Sequence, residues 1–299
     1  MEAVIRLEGL TKSYGRSRGV VGLDLEVFPG EVFGYLGPNG AGKTTTIRLL
    51  LDLIRPTSGR ALVLGRDPRD GGPALRVRLG YLGGDPALYP KMTGRQLLGY
   101  LGHLRGLDGS GSAEALAERL DLDLGRPIGD LSRGNRQKVA LVQAFMHHPQ
   151  VLVLDEPTSG LDPLMQREFY RLVAEARAEG RTVFLSSHVL GEVERIADRV
   201  GIVREGRLVV VEGLEALKAK ALRRLEIHFA GPVPSVEFAA LPGVQDVVVE
   251  GGLLTCTTVG SVDRLLKAAA RYEVTNLVTH EADLEELFLR YYEGAGDAA

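Results

Sequence analysis

The chain has a single cysteine, Cys256, so an internal disulfide is excluded and a reducing compartment fits. It also lacks a long apolar run, since no uninterrupted stretch approaches the roughly 18 to 20 residues of a membrane span. The opening Met1-Glu2-Ala3-Val4 has neither a basic n-region nor an apolar core, so no secretory signal is expected. Nor is charge of one sign in excess. A formal net charge of −3 argues against a general nucleic-acid binder, leaving only a local basic patch open. The remainder is ordinary: 44% hydrophobic and 25% charged residues describe a soluble globular chain, and 299 residues suggest two domains.

The most informative stretch is Gly37-Pro38-Asn39-Gly40-Ala41-Gly42-Lys43-Thr44, which fits the phosphate-binding pattern G-x-x-x-x-G-K-[ST]. The hydrophobic run Val32–Leu36 before it reads as a buried strand, and residues 45–53 after it read as a helix. Glycines there let backbone N–H groups curl around phosphate oxygens, and the helix N-terminus adds partial positive charge. Lys43 is then expected at the β- and γ-phosphates and the Thr44 hydroxyl on Mg²⁺, with Thr45 completing the loop. A chance glycine turn before a helix is the plainer alternative, and the strand-loop-helix order weighs against it.

A second apolar run, Val151–Asp155, ends in the carboxylates Asp155 and Glu156. Continuous hydrophobic runs mark strands of a parallel sheet, whose ligands bind at the strands' carboxyl ends. Asp155 suits the Mg²⁺ shell, and Glu156 lies one residue further out, where it can orient or deprotonate attacking water. Leu131-Ser132-Arg133-Gly134-Asn135 opens an amphipathic helix running to about residue 147, and a serine and glycine at a helix start describe another anion site. Standing alone, that segment would pass for an ordinary helix cap.

Together these segments resemble the nucleotide-binding subunit of an ATP-binding cassette (ABC) transporter, of the bacterial drug-resistance exporter type. The resemblance implies an α/β fold, a P-loop NTPase of the ABC type with a helical subdomain. It implies that ATP, with Mg²⁺, is hydrolysed between two head-to-tail copies of the chain. Ser132, Arg133, Gly134 and Asn135 would then press on the ATP of the partner copy. Tyr14 matches the aromatic that stacks on adenine, Asp162 the loop that communicates across the dimer, and His188 the switch histidine at the γ-phosphate. His147 and His148 end a helix and are read as structural. Two positions depart. Arg133 replaces the commonest glycine of the signature, a change read as benign because a guanidinium suits a partner's γ-phosphate. Where the family usually has glutamine, alignment from Gly80-Tyr81-Leu82 places Gly84, which offers only backbone atoms; Asp85 is the neighbouring carboxylate that could reach the metal instead.

Residues 1–215 are expected to form the cassette, with a helical subdomain over about 84–145, and residues 216–299 an accessory domain. In the latter, strand patterns at 225–229, Val244–Glu250, 253–258 and 274–278 alternate with a helix at 261–272, and a final helix is expected at 283–292. The order β-α-β-β-α-β suggests a small ferredoxin-like α+β domain with a disordered tail at 294–299. Nothing in it has catalytic spacing, and a dimerisation or stability role is weighed there against a ligand sensor.

The resemblance implies a cytoplasmic ATPase, peripheral on the cytoplasmic face of the membrane, that drives a separate multi-span permease. A soluble cassette ATPase on DNA or ribosomes, or a nucleotide-gated module with little hydrolysis, stays open on these residues. The cargo is not written in this chain.

Overall fold

The computed structural model describes residues 2–15, 17–107, 111–220 and 222–280. The helix expected at 283–292 and the tail at 294–299 lie outside the described residues. The chain divides into two compact units, Met1–Val211 and Glu212–Ala299.

The first unit is built on a six-stranded sheet. Its spatial order is Leu79–Leu82, Val151–Asp155, Thr182–Ser187, Val32–Leu36, Arg199–Arg204, Arg207–Gly213. The first five are parallel neighbours, with Leu36 opposite Ser187 and Asp155 opposite Ser186. Every residue of Val32–Leu36, Val151–Asp155 and Thr182–Ser187 is buried, which explains their continuous apolar sequences. Phe184 stacks on Phe33 at 5.8 Å and meets Tyr35 at 5.4 Å, all three rings being inaccessible. A second, antiparallel sheet orders Ser17–Val27, Ile5–Tyr14 and Ser58–Val63 and shares one apolar core with the first.

The helix after the phosphate loop spans Lys43–Leu50, starting two residues earlier and ending three earlier than expected. Its end has a local cause. Asp52 takes the left-handed conformation at φ 56°, its N–H reaches Leu49 O, and the Leu53 N–H reaches Arg48 O at 2.8 Å. That pattern closes a helix and satisfies its last carbonyls. Helices Gly94–Leu104, Gly111–Arg119 and Arg133–Phe145 follow, the first opened by a reciprocal cap between Thr93 and Gln96.

In the second unit, the helix Leu214–Lys220 precedes a four-stranded antiparallel sheet in the spatial order Val244–Glu250, Leu253–Val259, Leu222–Phe229, Val274–Thr279. Helices Ser235–Ala239 and Asp263–Ala269 complete a β-α-β-β-α-β order, with Phe229, Phe238 and Tyr272 meeting in its core. The hairpin at Gly251-Gly252 turns through Gly251 at φ 62°. Cys256 is buried there, and burial pushes its thiol up to about 11, so it has no thiolate for chemistry near neutrality. Among the described residues, no helix is long and apolar enough to cross a membrane.

His147, partly buried, donates from Nε2 to Leu79 O at 3.0 Å, and its Nδ1 has no partner. Burial, reinforced by the positive field of Arg105, holds the imidazole down to about 4. An unfolded chain takes up this proton below about pH 6.5, whereas the folded ring refuses it until about pH 4. The ring therefore costs no stability above pH 6.5, and stability is lost as pH falls through that window.

Two measurements check these packing statements. Phe184→Ala should lower the stability of the first unit by about 3–5 kcal/mol in urea unfolding, as for other fully buried rings. A loss under about 1 kcal/mol would contradict the central place given to that ring. Between pH 7 and pH 5, His147→Gln should lose less stability than the unsubstituted chain; equal losses would remove His147 as the acid-sensitive group.

Candidate functional site

The phosphate loop gathers at the carboxyl end of Val32–Leu36. Gly42 caps the following helix at φ 108°, a left-handed conformation open to glycine, and no side chain caps the helix start. The N–H groups of that first turn thus remain available to an anion. Lys43 is buried and lies back along the loop, donating to Gly37 O at 2.6 Å and Pro38 O at 3.2 Å, with Glu156 Oε1 at 3.2 Å.

Strand register sets the acidic side. The Thr44 hydroxyl donates to Asp155 Oδ2 at 2.8 Å, and the Ser186 hydroxyl donates to Asp155 Oδ1 at 2.5 Å. This hydroxyl and carboxylate form a set of hard oxygen donors of the kind Mg²⁺ takes. Glu156 has φ 50°, an unusual conformation for a residue with a side chain. Several bonds hold it there. Its N–H meets Ser186 O and the Ser186 hydroxyl, each at 3.2 Å, and Gln137 Nε2 donates to Glu156 O at 3.4 Å and Pro157 O at 3.0 Å. His188 Nδ1–H donates to Glu156 Oε2 at 2.5 Å. One carboxylate, Glu156, therefore lies between Lys43 and His188.

A cleft of about 470 Å³ joins these groups; Lys43, Thr44, Glu156, His188, Arg133 and Gly84 are among its walls. Pro38, Asn39, Gly40, Gly42 and Thr45 line it too. Gly37 and Ala41 stand behind, Ala41 being buried. Other expected residues fall elsewhere. Tyr14 is exposed at its strand end, with Lys12 Nζ 5.4 Å from the ring centroid, and is not a cleft-lining residue. Asp85 is exposed and also off the cleft wall, which its neighbour Gly84 occupies.

The segment Ser132–Asn135 begins its helix with a side-chain cap, the Ser132 hydroxyl accepting from the Asn135 N–H at 3.2 Å. Gly134 packs backbone to backbone on the loop after Glu156. A Cβ at position 134 would fall 2.6 Å from Gly160 O, closer than atoms can stand. Asp162 caps the helix Pro163–Ala178, accepting from the N–H groups of Met165 and Leu164, and these bonds hold its carboxyl below the usual range. Arg133, expected toward a partner's nucleotide, lines the cleft of its own chain and donates to the Ser159 hydroxyl at 3.0 Å.

Three supporting residues escaped the sequence reading: Gln137, the Ser186 hydroxyl and Glu192. Glu192 accepts from the hydroxyls of Thr158 and Ser187, joining the two loops that follow the neighbouring strands. Gln137 could have been found, because it is polar on the same helix face as Ala140, Leu141 and Ala144. Glu192 gives no such signal; its partners come only from the fold.

The sequence profile described as "ABC transporter" matches residues 20–159, across the phosphate loop, the Ser132–Asn135 segment and Asp155-Glu156. A bacitracin transport ATP-binding protein of Enterococcus faecalis is 32% identical over 100% of this chain and 99% of its own length. The chain belongs to the ABC transporter family. It sits among the ATP-binding subunits of that family. A daunorubicin resistance ATP-binding protein of Streptomyces coeruleorubidus is 41% identical, over 73% of this chain and 71% of its own. A solved ATP-binding subunit of an ABC transporter superposes with a TM-score of 0.67 at 29% identity, covering 72% of this chain and 92% of that one.

Gly134→Ala tests the close packing on Gly160. ATPase activity should fall roughly tenfold or more, because small displacements at such sites are costly, and stability should fall by about 1–3 kcal/mol, because the added methyl meets backbone that must shift. Full activity in this variant would show that the two loops need not stay in contact.

Proposed function

We propose that this chain is the ATP-hydrolysing subunit of an exporter, working as a dimer around two ATP molecules and driving a separate multi-span membrane subunit. The observation that carries the reading is the meeting of Lys43, the Thr44–Asp155 pair and the Glu156–His188 pair in one cleft. Lys43 and the loop N–H groups bind the phosphates, with Gly37, Pro38, Asn39, Gly40, Ala41, Gly42 and Thr45 shaping the loop. Thr44 and Asp155 would hold Mg²⁺, which when bound would offset charge developing on the phosphate oxygens. Glu156 orients the attacking water and accepts its proton, and His188 fixes the Glu156 carboxylate.

Tyr14 offers its exposed ring to the adenine. Ser132, Gly134 and Asn135 serve the nucleotide of the second copy, and Asp162 stands at the seam between copies. Relatives whose names concern bacitracin transport and daunorubicin resistance support the export direction, and with it goes a position on the cytoplasmic face of a membrane. Residues 1–215 do this work, and residues 216–299 form an accessory domain that favours dimerisation or stability.

Glu156→Gln should bind ATP normally, lose turnover by about a hundredfold or more, and accumulate as a closed dimer on size-exclusion chromatography with ATP. Turnover close to that of the unsubstituted chain would end the role given to Glu156.

A further inference from the structure

Glu192 does not line the nucleotide cleft; it stands in the first turn of the helix Leu190–Ile196. An acid at that place favours the helix dipole, and so plain a role needs no further partner. Both of its oxygens are nonetheless engaged, each by a different loop. Glu192 Oε1 accepts from the Thr158 hydroxyl, and Oε2 accepts from the Ser187 hydroxyl at 2.6 Å. Thr158 and Ser187 are buried. The Ser187 oxygen itself accepts from the Val189 N–H at 2.9 Å, a bond that spans His188. Val189 O, at 3.3 Å, is a poorer acceptor for the Ser187 proton than the carboxylate is.

These bonds close a ring around the reactive pair. Thr158 comes two residues after Glu156, Ser187 comes one before His188, and His188 Nδ1–H donates to Glu156 Oε2 at 2.5 Å. The ladder between the two strands ends with the Glu156 N–H on Ser186 O, and past it the sheet no longer sets the spacing. His188 is 48% exposed, so packing alone does not hold its ring. Glu192 also brings a fixed reference. The next residue, Val193, is inaccessible and packs on Gly34: a Cβ at position 34 would fall 2.3 Å from Val193 Cγ1. Gly34 belongs to the strand that leads into the phosphate loop. The carboxylate is thus anchored to that strand and reaches the loops of both Glu156 and His188.

We propose that Glu192 is a positioning residue for hydrolysis, holding Glu156 and His188 in register with each other and with the strand of the phosphate loop. It acts through its two hydroxyl partners and not by contact with nucleotide. This rests on the ATPase reading above. A carboxylate suits the task because it only accepts, with one oxygen for each hydroxyl. An amide keeps the shape but offers a single oxygen, so one hydroxyl loses its acceptor.

The test is single-turnover hydrolysis of ATP with Mg²⁺ and the full chain in excess, which keeps slow rates measurable. Glu192→Ala should slow the rate about tenfold or more, while binding of a non-hydrolysable ATP analogue changes less than about twofold. Glu192→Gln should recover part of the rate, and Thr158→Val and Ser187→Ala should each reproduce part of the loss. In a His188→Ala background, Glu192→Ala should cost less than about twofold, because a residue that it positions is already gone. The same loss in both backgrounds would overturn the proposal and leave Glu192 a structural residue, as would a matching loss of analogue binding. An unchanged rate in Glu192→Ala would overturn it too. If the unsubstituted chain hydrolyses no ATP, or Lys43→Ala hydrolyses it as fast, the ATPase reading itself falls and takes the Glu192 assignment with it.

Discussion

The register of three parallel strands is the constraint on which the site depends. Val32–Leu36 lies beside Thr182–Ser187, which lies beside Val151–Asp155, and all three are buried along their whole length. Pairing Asp155 with Ser186 and Leu36 with Ser187 brings the phosphate loop, the two carboxylates and the loop of His188 to one sheet end. A strand slipped by one residue would turn each side chain to the opposite face of the sheet and separate Phe33 from Phe184, whose stacked rings oppose the slip. Packing far from the nucleotide therefore fixes distances at it.

Within that frame, each reactive group is restrained by a polar neighbour. Ser186 and Thr44 share the two oxygens of Asp155, and Gln137 secures the backbone that turns through Glu156. The left-handed backbone of Glu156 is the kind of local strain that surrounding bonds must maintain. It also aims the carboxylate between Lys43 and His188, where water attack on a phosphate would be directed. The contact of Gly134 with Gly160 links this centre to the start of the helix Arg133–Phe145.

Much of this was legible in the sequence because the loop chemistry is local. G-x-x-x-x-G-K-T states its own function, and a buried parallel strand advertises itself by an unbroken apolar run ending in Asp155-Glu156. The β-α-β-β-α-β order of the second unit was readable from strand patterns and the Gly251-Gly252 turn. What stayed hidden depends on contacts distant in sequence. Glu192 bonds Thr158 across 34 residues, and the direction of Arg133 depends on Ser159, 26 residues away. Helix lengths also shifted, because the helix closes at Asp52 in a left-handed backbone, which aspartate tolerates but does not demand.

The central claim is that one cleft in one chain holds the terminal phosphates where Glu156 can activate water. A crystal structure of the chain with Mg²⁺ and a non-hydrolysable ATP analogue tests it most directly. The account predicts the β- and γ-phosphates against the loop N–H groups and Lys43, the metal on Thr44 and Asp155, and Glu156 facing the γ-phosphorus. A nucleotide bound elsewhere, or a metal held without Asp155, would contradict it.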